Sequence, residues 1–116
     1  MDITEISAAV NALDQAGLDT AIAEEVFGSA IPIAPFSKSH DLSLLVISKL
    51  YGDGLINSVD MAVKNAEPGL THNCTFRRSF IGTEPSDVMS IEAGGNSQPT
   101  AICRAALTLC RVASRA

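Results

Sequence analysis

The chain has 116 residues, of which 47% are apolar and only 4% aromatic, with no tryptophan and a formal charge of −5. That length fits one domain, residues 1–116, or one subunit of an assembly. The acidic balance argues against a protein that coats nucleic acid by neutralising phosphates, and an interior built from Ala, Leu, Ile and Val rather than rings is helped by a partner subunit.

The charge is unevenly spread. Residues 1–30 carry six acids (Asp2, Glu5, Asp14, Asp19, Glu24, Glu25) and no base, whereas residues 61–116 carry six bases against four acids. A small anionic ligand held by a few arginines is therefore compatible with the sequence. The alternative is that those arginines pair with the acidic N-terminal arm.

In chain order, Asp2 followed by Glu5 gives a capping-box start. Ile3, Ile6, Val10 and Leu13 recur at helical spacing, so a helix over about 3–15 is expected. Gly17 interrupts it, Asp19 is a candidate cap for a second helix, and Gly28 ends that helix. Pro32 and Pro35 keep "AIPIAPFS" extended. Ser37 then looks like the N-cap of "KSHDLSLLVISKL", with Leu42, Leu45, Val46 and Lys49 along one side and Leu44, Ile47 and Leu50 beside it. The glycines of "YGDG" stop that helix.

Three strands follow. Val59, Met61 and Val63 alternate with Ser58, Asp60 and Lys64, and "AEPGLT" reads as a turn. "HNCTFRRSFI" alternates again, and "DVMSIEA" is a third strand after "GTEPSD", which makes an antiparallel meander. The last helix starts around Pro99. Ile102, Ala105, Ala106, Leu109 and Ala113 form its apolar stripe, opposite a polar stripe of Arg104, Thr108, Arg111 and Arg115. The layout is an α+β domain: a helical N-terminal arm over 1–30, then a core over 36–116 with helices packed on a small three-stranded antiparallel sheet.

Catalytic signals are sparse, and no enzyme is expected. His40 and His72 lack a partner at catalytic spacing, and "AGGNS" lacks both the spacing and the lysine of a phosphate loop. Cys103 and Cys110 lie seven apart on one helix, about 10 Å along its axis and too far to bridge. Reduced, packed thiols in a cytoplasmic protein are the expectation, and no metal or other cofactor is called for. The N-terminus has no basic-then-apolar leader, so neither a secretory signal nor glycosylation at Asn73 is expected. "LSLLVIS" is too short to span a bilayer.

What remains suits an anion. Gly94, Gly95, Asn96 and Ser97 precede a helix N-terminus, whose amides favour negative charge. Arg104 lies one to two turns further on, and arginine binds phosphate in a bidentate way. Arg77 and Arg78 lie mid-strand between Phe76 and Phe80, but strand alternation lets only one of the pair share the face used by Phe76.

"FSKSHDLSLLVISKL" (36–50) followed by "PTAICRAALTLC" (99–110) resembles the small phage ABA-sandwich proteins, through Pro99, Ala101, Cys103, Ala105, Ala106 and Leu107 of the last helix. The fold type and the terminal helix are also similar to those of the Thoeris anti-defence sponge proteins of phages. The resemblance implies an α-β-α sandwich-like fold and a cytoplasmic homo-oligomer, dimer or higher and up to a hexamer. It implies sequestration of cyclic nucleotide immune signals, of cyclic ADP-ribose type or cyclic oligonucleotides, without cleavage. Arg104 is the position matched to the arginine of that family's last helix. Asn96, Gly95 and Ser97 would line the ligand, Arg77 or Arg78 would add charge, and Phe36 or Phe80 would supply a stacking ring. The other reading is a phage accessory protein that binds a host protein.

Overall fold

The computed structural model describes residues 2–66, 69–78 and 89–114. Helix α1 runs Ile3–Asn11, and the Asp2 carboxylate caps it by accepting from the Glu5 amide at 2.9 Å. It is shorter than expected, because Asp14 rather than Asp19 starts the next helix: its carboxylate accepts from Gly17 N–H at 2.7 Å. Helix α2 covers Gln15–Ala21 and continues into one π turn, Ile22–Val26. Gly28 and Ser29, both with positive φ, then stop the helix as the glycine predicts.

Asp19 has a different task. It is only 7% exposed on the inner side of α2, and its carboxylate accepts from the Ser37 amide at 2.8 Å. Ser37 is therefore not an N-cap. Ser39 caps helix α3, His40–Gly52, by accepting from Leu42 N–H. The face of α3 also differs from the expected one. Ser43, Val46, Ile47 and Leu50 are buried, whereas Leu44 and Leu45 point outward.

Strands β1 (Ser58–Ala66), β2 (Gly69–Arg78) and β3 (Met89–Gly95) form an antiparallel sheet in the order β1-β2-β3. Ala66 pairs with Gly69, so Leu70 and Thr71 belong to a strand rather than to the expected turn. The stretch between β2 and β3, including "GTEPSD", lies outside the described residues.

Helix α4, Gln98–Ala113, occupies the centre. It packs on β2 and β3 on one side and on α1, α2, α3 and the π turn on the others. A helix contacted from so many directions cannot keep an exposed polar stripe. Thr108 is buried and donates to Arg104 O at 2.8 Å, and Arg104 itself is half-buried. Small residues make this close packing possible: Ala101, Cys103, Ala105 and Ala106 have no exposed surface.

On the strands, the buried residues Cys74, Phe76 and Ile91 share the face toward α4, while Thr75, Arg77, Ser90 and Glu92 alternate onto the other. The architecture is α+β, a three-stranded antiparallel sheet packed by helices with a helical N-terminal segment. The core is continuous from Ile6 to Leu109.

The Asp19 contact joins α2 to the loop before α3, and it satisfies a buried amide with a charged acceptor. Asp19→Ala would orphan that amide and is expected to cost about 1.5–3 kcal/mol, whereas Asp19→Asn, which keeps an acceptor oxygen, should cost less. Urea denaturation of the three proteins checks this; equal stability of the wild type and Asp19→Ala would rule the contact out as a structural tie.

Candidate functional site

The sequence "GGNSQPT" (94–100) carries the chain from the end of β3 into α4. Ser97 is the N-cap: its hydroxyl accepts from Thr100 N–H and donates to Thr100 Oγ1 at 3.0 Å. Thr100 Oγ1 in turn donates to Ser37 O at 3.0 Å. The turn is thereby fixed to the loop that Asp19 holds from the opposite side.

Close approach constrains both glycines, Gly95 against backbone and Gly94 against the tip of a side chain. A Cβ on Gly95 would lie 2.9 Å from Thr100 Cγ2 and 3.0 Å from the Ala101 amide nitrogen. A Cβ on Gly94 would lie 2.8 Å from Asn73 Oδ1, the tip of a side chain on the neighbouring strand.

Arg104 reaches back along α4 to this turn. Its Nη1 donates to Gly94 O at 3.0 Å, and its Nε is buried with no hydrogen-bond partner among the described residues. The other arginines differ. Arg111 makes a bidentate pair with Glu25, with both bonds at 2.9 Å, which raises its pKa further. Arg77 pairs with Asp60 on the neighbouring strand. Arg78 is also engaged. Among the described residues no carboxylate forms an ion pair with Arg104, so pairing with the acidic arm holds for Arg111 and not for Arg104.

The expected residues are only partly brought together. Arg104, Gly95, Ser97 and the exposed Asn96 share the turn at the start of α4. Arg77 lies on the sheet face away from the helices. Arg78 shares the face of Phe76 but sits opposite Met89, at the far end of β3 from Gly94. Phe36 is not a presented ring: it has no exposed surface and stacks on Phe27 with centroids 5.4 Å apart. Phe80 and Arg115 lie outside the described residues.

The helix start is also a weaker anion cradle than the sequence implies. Pro99 has no N–H, and the Thr100 amide already serves Ser97. The charge at this turn therefore resides chiefly in the Arg104 guanidinium.

Sequence reasoning assigns Asp19 and Ser37 to helix caps rather than to each other, and does not single out Thr100. Their one local signal is a serine three residues before Thr100, flanking a proline in the first turn. The thiols supply no nucleophile at neutral pH, because burial pushes Cys74 up to about 12 and Cys110 up to about 11. Burial raises Cys103 as well. Among the described residues no group of three or more His, Cys, Asp and Glu side chains could hold a metal. No helix among them is long and apolar enough to cross a membrane. No family model, curated protein or solved structure matches the chain.

The two glycines should respond differently to alanine. At Gly95 the new methyl meets backbone, and overpacking of this kind costs about 1–3 kcal/mol. At Gly94 the Asn73 side chain can swing away, so the cost should be smaller. Thermal melts of Gly95→Ala and Gly94→Ala check the order; a larger loss for Gly94→Ala would mean that the turn packs differently.

Proposed function

We propose that the protein is a non-enzymatic oligomer that sequesters a cyclic nucleotide immune signal, of cyclic ADP-ribose type or a cyclic oligonucleotide, and so blocks a host anti-phage defence. The observation that carries this reading is the Arg104 guanidinium, held half-buried behind the Gly94–Ser97 turn and without a carboxylate partner among the described residues. A fixed, uncompensated guanidinium is suited to a phosphate, which it binds through charge-assisted hydrogen bonds. The resemblance of the terminal helix and fold type to the phage sponge proteins supplies the ligand class. Sequestration needs affinity and slow release but no general acid, base or nucleophile, in keeping with thiols that stay protonated.

In this reading Arg104 contacts phosphate, while Asn96 and the Gly95–Ser97 backbone line the ligand. Arg77 and Arg78 reach the same ligand only if another copy of the chain brings them there, since Arg77 lies on the sheet face away from the helices and Arg78 stands opposite Met89, at the far end of β3 from Gly94. The site belongs in the cytoplasm of an infected bacterium, where such signals act.

A second reading, an accessory protein that binds a host protein, is favoured by the outer side of α3. Leu44, Leu45 and Tyr51 are 53%, 51% and 44% exposed there. A stoichiometric host protein captured without nucleotide would select this reading.

Calorimetric titration with cyclic ADP-ribose isomers and with cyclic di- and trinucleotides tests the first reading. Binding is expected for at least one, and Arg104→Ala should weaken it by about 1.5–3 kcal/mol, the value of a hydrogen bond to a charged group. Unchanged affinity in that variant would remove Arg104 from the site, and no heat with any ligand would defeat the reading.

A further inference from the structure

The chain has five asparagines: Asn11, Asn57, Asn65, Asn73 and Asn96. An asparagine followed by a small residue can lose its side-chain amide without an enzyme, because the next backbone nitrogen attacks the side-chain carbonyl carbon. That nitrogen must be free, and the backbone must swing it toward the side chain. Regular structure prevents both until it opens locally.

Four of the five are held in this way. Asn11 ends α1, and the next amide, Ala12 N–H, donates to Ala8 O at 3.1 Å. Asn57 N–H donates to Arg77 O at 2.9 Å, and the residue after it, Ser58, opens β1 opposite Arg77. Asn65 lies within β1, paired with Leu70, and Asn73 lies on the central strand between Ala62 and Gly94.

Asn96 differs. It is exposed, just past the end of β3 and just before the Ser97 cap of α4. Among the described residues neither its side chain nor the Ser97 amide makes a hydrogen bond, since Ser97 takes part only through its hydroxyl and its carbonyl.

We propose that Asn96 is the residue at which this chain deamidates, and that the carboxylate formed there offsets the charge of Arg104. The Ser97 nitrogen forms a bond to Asn96 Cγ, the Cγ–Nδ2 bond breaks, and ammonia leaves with the proton that the Ser97 nitrogen gives up. Water then opens the cyclic imide at either of its carbonyls. One opening gives aspartate. The other gives isoaspartate, whose main chain runs through Cβ and Cγ and is longer by one carbon.

Both products place a negative charge in the turn whose Gly94 carbonyl Arg104 holds, and a charge there opposes the binding of an anion. Isoaspartate also strains the turn. Gly95 is packed against Thr100 and Ala101, so the added carbon displaces Ser97, whose hydroxyl caps α4. The consequence for anions rests on the reading of Arg104 given above; the deamidation itself does not.

Asn57 and Asn96 are both followed by serine, so the dipeptide is the same and only the fold distinguishes them. The full chain is aged in mildly alkaline buffer, with and without urea, and conversion at each asparagine is followed by peptide mass spectrometry. Folded, Asn96 should convert about tenfold or more faster than Asn57, the factor supplied by a hydrogen bond that must first break, and ahead of the other three. In urea Asn57 and Asn96 should convert at similar rates. Equal rates in the folded chain, or earlier conversion at any other asparagine, would overturn the assignment.

The link to Arg104 is read by titrating wild type and Asn96→Asp with the cyclic nucleotide that the fresh wild type binds. Asn96→Asp, and aged protein converted at that position, should bind about tenfold more weakly. Affinity equal to that of the fresh wild type would overturn the link. A fresh protein that binds no nucleotide would defeat the nucleotide reading alone, because conversion at residue 96 is measured without one.

Discussion

The buried carboxylate of Asp19 is the constraint on which the other elements depend. It accepts from Ser37 N–H, and the carbonyl of the same residue accepts from Thr100. Three segments distant in sequence thus meet at one serine: helix α2, the loop before α3, and the first turn of α4. A buried charge is costly unless it is hydrogen-bonded, so the carboxylate and the amide specify each other's position. With Thr100 fixed, Ser97 caps α4, Gly95 must lack a side chain, and Gly94 presents its carbonyl to Arg104.

The same tie explains why the loop 29–39 adopts its path without regular structure. Phe36 is drawn into the core beside Phe27, which removes its ring from the surface, and Ser39 is left to cap α3. The Ser37 hydroxyl is buried without a partner among the described residues. The backbone groups of Ser37, rather than its side chain, make the connections.

Patterns that depend on neighbours in sequence were legible beforehand. The period of Ile3, Ile6 and Val10 gave α1, the alternation around Met61 and Phe76 gave the strands, and the turn signals between them gave the meander. Where several capping residues competed, the outcome depended on tertiary contacts: Asp14 displaced Asp19, and Ser39 displaced Ser37, because Asp19 and Ser37 were needed for each other. The polar stripe expected on α4 failed for a related reason. A stripe argument assumes one packed side, and α4 has neighbours nearly all round. For the site, the proximity of Arg104 to the glycine turn was legible from one to two turns of helix. The separation of Arg77 and the burial of Phe36 were not, since they follow from which face of the sheet meets α4 and from the path of the loop.

What distinguishes Arg104 is that it is held in place by Gly94 O with no carboxylate partner among the described residues, while Arg111 and Arg77 are paired with carboxylates. The central claim built on that difference is retention of an intact cyclic nucleotide, and the most direct measurement is recovery of the ligand after release. Protein incubated with cyclic ADP-ribose isomers and cyclic di- and trinucleotides is freed of unbound ligand by filtration, denatured by heat, and the filtrate is analysed by chromatography. The account predicts that one of these ligands is retained in a fixed ratio to the chain and recovered unchanged. Retention of none, or recovery of a linearised product, would contradict it.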